Sequence, residues 1–194
     1  YNPGDKVPAN YQLLLTFKDE SFLVFTVAMY GFISAYPDAV IDNKYYTISR
    51  ESISPLSDAY TEAEFEKLFA FAKKTLTAKA LLATEQRIPG VGNGVTQDIL
   101  FNAGIHPKQK VFDLSDGQKG VLFKSLKDTL MAMTSGRGRD TQTDLYGNEG
   151  GYKTILSSKT WKNPCPRCGS VIVKEAYLGG SVYYCSECQK IRKT

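Results

Sequence analysis

Cys165-Pro-Arg-Cys-Gly-Ser-Val-Ile-Val-Lys-Glu-Ala-Tyr-Leu-Gly-Gly-Ser-Val-Tyr-Tyr-Cys-Ser-Glu-Cys188 is the stretch on which the reading of this chain turns. It holds two Cys-x2-Cys pairs, Cys165/Cys168 and Cys185/Cys188, separated by sixteen residues. Each pair sets two thiolates on one tight turn, and two such turns facing each other supply the four tetrahedral ligands that structural zinc prefers. Between the pairs, Val171-Ile-Val173 and Val182-Tyr-Tyr184 flank Gly179-Gly180, the pattern of a β-hairpin. A redox pair, disulfides and an iron site are the competing readings. The agreement of both spacings with a hairpin spacer favours one structural Zn2+ ion. Four protein ligands leave no open position on the metal, so its expected role is to hold the fold and not to activate water. All four cysteines of the chain lie between 165 and 188, whereas a secreted disulfide scaffold would spread them; the clustering points to a reducing, cytoplasmic setting.

The charge pattern follows the cysteines. The net charge is +4, but from residue 151 onward eight Lys and Arg residues stand against only Glu175 and Glu187. A basic tail on a slightly acidic body suggests a localised polyanion-binding face, with a solubilising surface as the plain alternative. A hydrophobic fraction of 42% over 194 residues allows a buried core. No apolar run approaches the roughly 20 residues that span a bilayer, and no basic region followed by an apolar stretch marks a signal peptide. No membrane association is expected, and a monomer is.

Upstream of the cysteines, the period of the apolar residues changes once. Residues 11–17 and 22–27 are short apolar runs that read as strands around the polar tip Lys18-Asp-Glu-Ser21, a hairpin pattern, and Lys44-Tyr-Tyr-Thr-Ile48 reads as a further short strand. From about 55 the period is helical. Thr61 with Glu64 forms a capping-box pattern ahead of Phe65, Leu68, Phe69 and Ala72 on one face. A second helix is expected from Thr77 toward Gln86, and a third over about 93–102 with Gly104 as its stop. The fourth opens with Ser115 as cap and Gln118 at the third helical position, and closes at Gly136. Residues 136–152 have little periodicity and read as a long loop. The fold class expected is α+β: a partial antiparallel sheet over 1–50, a helical domain with a long loop over 51–150, and a zinc-finger hairpin over 151–194.

A second motif is Ile88-Pro-Gly-Val-Gly-Asn93 leading into a helix, followed by Phe101-Asn-Ala-Gly-Ile-His-Pro107. Gly90 and Gly92 permit close approach to the backbone, and free N–H groups at the start of the next helix attract an anion such as phosphate. Asn93 adds a side-chain amide. Alone, this is equally an ordinary tight turn between helices.

Taken with the cysteines, Pro55-Leu-Ser-Asp58, Gly90-Val-Gly-Asn93, Ala103-Gly-Ile-His-Pro107 and Tyr184-Cys-Ser-Glu-Cys-Gln189 make the chain resemble the formamidopyrimidine-DNA glycosylase / endonuclease VIII family. The resemblance covers roughly 55–194, and residues 1–50 match more loosely the last strands of that family's N-terminal β-sandwich. It implies a helix–two-turns–helix domain and a zinc finger that grip duplex DNA holding a damaged base or abasic site. Asn93, with Gly90 and Gly92, falls at the family's phosphate-gripping turn. Arg139, Asp140, Thr141 and Tyr152 fall in the loop where the family reads the damaged base. His106, the only histidine, lies in the second turn and reads as structural.

The chain also departs from the family pattern. The family's nucleophile is an N-terminal proline whose amine attacks C1′ of the damaged nucleoside. Here Pro3 is internal, its nitrogen is an amide, and the chain alone is expected to be inactive. This reads as the C-terminal part of a longer repair enzyme. Gly180, followed by Ser181, stands where the family carries a phosphate-binding arginine at the finger tip. Ala28-Met29-Tyr30-Gly31 stands where its arginine wedge falls; Tyr30 is able to stack in the gap of a flipped base and Met29 to fill space, with hairpin packing as the alternative for both. Two rival functions remain at this point: a non-catalytic zinc-containing DNA-binding module, and a zinc-stabilised protein scaffold. A bacterial, nucleoid-associated location is the corresponding expectation.

Overall fold

The hairpin expected near the N-terminus forms around its polar tip, between the two apolar runs. In a computed structural model of the chain, which describes residues 1–27, 31, 33–37, 40–70 and 72–192, strand β1 (Leu13–Thr16) pairs antiparallel with β2 (Phe22–Phe25), Leu13 opposite Phe25 and Thr16 opposite Phe22. Its turn is closed by Phe17 N–H on Ser21 O at 2.9 Å and by the Asp19 carboxylate, which accepts from Ser21 N at 3.1 Å and Ser21 Oγ at 2.6 Å. Glu20 takes the left-handed conformation, φ 68°, that completes a three-residue hairpin loop. The ring of Tyr1 stacks on Phe22 with centroids 4.8 Å apart. This hairpin belongs to one compact unit, Tyr1–Asp42; Asn43–Thr194 form the other.

The strand expected over 44–48 is instead a helix, α1 (Lys44–Glu51). Tyr45, Tyr46, Thr47 and Ile48 individually favour strands, but Asn43 decides the outcome. Its Oδ1 accepts from Tyr45 N at 2.9 Å and Tyr46 N at 3.1 Å, satisfying two of the amide donors that a helix start leaves open. The partial sheet is correspondingly smaller than expected: among the described residues of the first unit it is the two-stranded hairpin alone.

Four more α-helices follow among the described residues. In α2 (Glu62–Ala70), Thr61 Oγ1 caps Glu64 N at 3.3 Å and Phe65 is fully buried. Helix α3 (Ala78–Ala83) ends three residues before the expected Gln86. The carbonyl of Ala80 is satisfied there by Thr84 Oγ1 at 2.7 Å and Arg87 Nη1 at 3.0 Å, and Glu85 and Gln86 both turn to positive φ. Helix α4 (Asn93–Ala103) stops at Gly104, φ 66°, a left-handed cap whose N–H returns to the last turn. Helix α5 (Asp116–Ser135) opens with the full reciprocal capping box of Ser115 and Gln118. Phe65, Leu81, Leu82, Ile99, Leu100, Leu122 and Leu126 interlock these helices into one apolar core.

The cysteine segment builds a second core. Strand β3 (Ile172–Tyr177) pairs antiparallel with β4 (Gly180–Cys185), Ile172 opposite Cys185 and Tyr177 opposite Gly180. The turn therefore consists of Leu178 and Gly179, both at positive φ (50° and 71°), and Gly180 is the first paired residue of β4, one place beyond the tip. Ile172, Tyr183, Cys165 and Cys185 pack with Leu156 and with Phe101 of α4. Helix α4 thus serves both cores, and residues Thr96 to Phe101 are all buried. No helix among the described residues is long and apolar enough to cross a membrane.

Candidate metal centre and nucleic-acid surface

The Sγ atoms of Cys165, Cys168, Cys185 and Cys188 all lie within 4.8 Å of one another. Cys165 to Cys188 is 3.8 Å, Cys168 to Cys185 3.5 Å and Cys168 to Cys188 3.4 Å. A disulfide requires about 2.05 Å. Sulfurs at about 2.3 Å from one tetrahedral metal would be about 3.8 Å apart, so the spacing fits a metal and excludes bonded pairs. The first turn is closed by Cys165 N–H on Ser170 O and Gly169 N–H on Cys165 O, both 2.8 Å; the second by Gln189 N–H on Cys185 O at 2.9 Å. Ser170 donates to Cys168 and holds its thiol down to about 6, while burial and the neighbouring thiols push Cys188 up to about 12. Four thiolates this close oppose one another's ionisation, and a bound cation removes that opposition. The donor set and its spacing fit a zinc finger.

Three polar side chains fasten this finger to the helices: Gln97 and Lys79, which have no role in the sequence reading, and Gln189, the last residue of the Tyr184–Gln189 motif. Gln189, fully buried, accepts from Cys185 N at 3.0 Å and donates to Ile105 O, beside the α4 stop, at 2.9 Å. Gln97, on α4, donates through Nε2 to Ser181 O and accepts at Oε1 from Tyr183 N, each at 3.1 Å, so its amide behaves as one more rung of β4. Lys79 of α3 donates to the carbonyl of Tyr177, and burial lowers its ammonium from the usual lysine range. The advance signal for Gln97 and Lys79 was a polar side chain on an otherwise apolar helix face, whereas Gln189 lies outside any helix, in the turn after Cys188.

The glycine-asparagine turn meets the finger close to its tip, at Asn93. Asn93 Nδ2 donates to Ser181 O at 3.2 Å, and a Cβ placed on Gly180 would lie 3.2 Å from that same Nδ2. A side chain at 180 would therefore press on the Asn93 amide, and the bare glycine leaves that contact relaxed. Gly90 holds φ 83°, a conformation a side chain would strain, and a Cβ on either Gly90 or Gly92 would meet nothing within 4 Å. Gly90, Gly92 and Asn93 are exposed, and Gly92 caps α4 with no side-chain hydrogen bond, so this face is open to a ligand. Met29 and Tyr30 lie outside the described residues. His106 is buried, accepts at Nδ1 from Lys108 N at 3.0 Å and meets the ring of Tyr184 edge-on at 4.2 Å, which accounts for it as turn packing.

The long loop is tied at its root. Asp140 N–H donates to Tyr152 O at 2.9 Å and Tyr152 N–H to Gly138 O at 3.0 Å, and a Cβ on Gly150 would fall 2.2 Å from the carbonyl carbon of Gly138. The Asp140 carboxylate accepts from Thr154 N at 3.1 Å. Tyr152 donates its hydroxyl to Asp98 Oδ2 at 3.1 Å; the same oxygen takes Ile155 N at 2.9 Å, and Oδ1 takes Leu156 N at 2.8 Å. Asp98, a fully buried residue of α4, is therefore the anchor of the loop. Burial pushes its carboxyl up, against the pull of those donors and of Arg139. Thr141 Oγ1 is buried without a partner, whereas Leu145 and Tyr146 at the loop tip are exposed.

These features define a class first: an α+β protein whose glycine-asparagine turn between helices is joined to a four-cysteine finger. No family model matches the chain. The formamidopyrimidine-DNA glycosylase of Carboxydothermus hydrogenoformans is 31% identical over 139 residues, covering 70% of this chain and 52% of the relative. That of Shouchella clausii is 26% identical over 193 residues, covering 97% of this chain and 69% of the relative. Among solved structures, MutM (Fpg) from Thermus thermophilus superposes with a TM-score of 0.64 at 24% identity, over 73% of this chain and 54% of that one. Lactococcus lactis Fpg in complex with abasic-site DNA gives 0.64 at 25% identity, over 75% and 54%. The chain belongs to the formamidopyrimidine-DNA glycosylase / endonuclease VIII family. It spans about half the length of most of the curated relatives it matches.

Proposed function

We propose that residues 1–194 form the DNA-gripping part of a base-excision repair glycosylase with abasic-site lyase activity, acting on oxidised or ring-opened bases. One structural Zn2+ ion is held by Cys165, Cys168, Cys185 and Cys188. When bound, it cross-links the two finger turns and supplies no reacting group. The observation that carries the reading is the meeting of Asn93 with Gly180–Ser181, which makes one exposed surface out of the helix turn and the finger. On that surface the Asn93 amide and nearby backbone N–H groups grip phosphates beside the lesion. The loop rooted at Arg139 and Tyr152 contacts the extruded base, with Asp140 and Thr141 shaping its start. Met29 and Tyr30 are assigned to the gap left by that base. The partner is duplex DNA with a damaged base or abasic site, met by a monomer in the bacterial cytoplasm.

Pro3 is internal, and an amide nitrogen is no nucleophile. The chain is accordingly expected to bind abasic-site duplex without forming a Schiff base. Fluorescence anisotropy over 50–200 mM salt, paired with borohydride trapping, tests this. Binding whose log K falls linearly with log salt, about 0.9 per phosphate contacted, without a trapped adduct, is the expected result. Salt-insensitive or absent binding by the metal-loaded chain would refute the reading.

A further inference from the structure

Gly94, the second residue of α4, lies directly against the guanidinium of Arg139. A Cβ at position 94 would sit 2.4 Å from Nη1, 2.8 Å from Nη2 and 2.9 Å from Cζ. Those separations are too short for any real side chain, so the bare glycine is what gives the guanidinium its seat next to Asn93. The arginine is placed there by a rigid root. Its backbone bridges Tyr152, its carbonyl accepts from Gln142 N at 3.0 Å, and the flanking Gly138 and Gly150 backbones are in contact.

Among the described residues the Arg139 side chain forms no ion pair and donates no hydrogen bond. Asp98 is near enough to feel its charge, but the carboxylate oxygens of Asp98 are already engaged by Tyr152, Ile155 and Leu156. A partly buried guanidinium with five unused donors suits a planar, multidentate oxyanion. The turn that leads into Gly94, and the finger tip that Asn93 of that turn contacts, have the complementary deficit: Gly90 to Asn93 and Leu178 to Ser181 carry no cation.

We infer that Arg139 supplies the cationic grip on a DNA phosphodiester at the Asn93 surface, and that Gly94 is the notch that seats it. This rests on the DNA-gripping function proposed above, and changes the role of Arg139 within it from reading a base to holding the backbone.

The test is anisotropy of the metal-loaded full chain on an abasic-site duplex and on the matched undamaged duplex, at 50–200 mM salt. Arg139→Gln is expected to lower the magnitude of the log K against log salt slope by about one and to weaken both duplexes by a similar factor, about tenfold at the lowest salt. Arg139→Lys retains the slope. Gly94→Ala adds a better helix former, and should keep or raise the melting temperature while reproducing part of the affinity loss, since its methyl displaces the guanidinium. An unchanged slope in Arg139→Gln, or a loss confined to the damaged duplex, would overturn the inference while leaving DNA binding intact. Failure of the unsubstituted chain to bind DNA would overturn the inference together with the function on which it rests.

Discussion

Chelating the metal, or replacing the fully buried Cys185 with serine, is expected to reduce metal content from one ion per chain to none and to dissolve the finger while the helices stay folded. The asymmetry follows from the two cores. Cys165 and Cys185 are themselves members of the finger core, with Ile172, Tyr183, Leu156 and Phe101. A two-stranded hairpin with so little apolar area does not stand alone. Structural zinc contributes on the order of 10 kcal/mol to such folds, so its loss removes more than the rest of the finger supplies. The helical core of Phe65, Leu81, Leu82, Ile99, Leu122 and Leu126 contains none of these ligands and should persist. Trp161, the single tryptophan, packs against the finger core and provides the readout: its emission should shift red while helical circular dichroism is largely retained. Unchanged Trp161 emission after complete metal removal would show that the ion does not hold the finger.

The second large effect belongs to Asp98. Truncation to alanine leaves the N–H groups of Ile155 and Leu156 and the hydroxyl of Tyr152 without their acceptor inside the protein. Unsatisfied buried donors cost about 1–3 kcal/mol each, and hydrogen bonds to a charged acceptor lie at the upper end. With some relaxation toward water, Asp98→Ala should destabilise the chain by about 4 kcal/mol. At about 2–4 °C per kcal/mol for a chain of this size, the midpoint should fall by roughly 10 °C or more. Asp98→Asn keeps one strong acceptor and should recover part of the loss. The loop root should also open, so amide exchange at Tyr152, Ile155 and Leu156 should accelerate ahead of exchange in α5. A fall of under about 1 kcal/mol for Asp98→Ala would mean that water replaces the carboxylate and that the loop is held by its backbone ladder alone.

What was legible in the sequence was what is encoded locally. The Cys-x2-Cys spacings, the Ser115–Gln118 capping box and the Gly104 stop each lie within a few residues of their own partners, and each appears in the structure at its expected place. The failures have equally local causes. Side-chain preference favoured a strand over 44–48, but the cap offered by Asn43 outweighed it. The finger turn falls one residue early because Leu178 accepts positive φ beside Gly179, leaving Gly180 to pair with Tyr177. Long-range partnerships were not legible. Gln97 meets Ser181 and Tyr183 across more than eighty residues, Gln189 reaches Ile105 over a similar span, and Asp98 meets Tyr152 and its neighbours over more than fifty. A polar residue on a buried helix face announces that it has a partner, and only the fold identifies it. The notch at Gly94 is of the same kind, since a glycine near a helix start reads simply as a poor helix former until Arg139 is seen against it.

The central claim is that the α4 turn and the finger tip form one DNA grip, and Asn93 stands at their junction. The most direct measurement is the affinity of the metal-loaded Asn93→Ala chain for an abasic-site duplex, taken with its metal content and melting temperature. Binding is expected to weaken by about tenfold, equivalent to roughly 1.4 kcal/mol, with metal content unchanged and the fold intact, because the Gln97 amide still holds Ser181. Undiminished affinity in a folded, metal-loaded Asn93→Ala chain would contradict the claim.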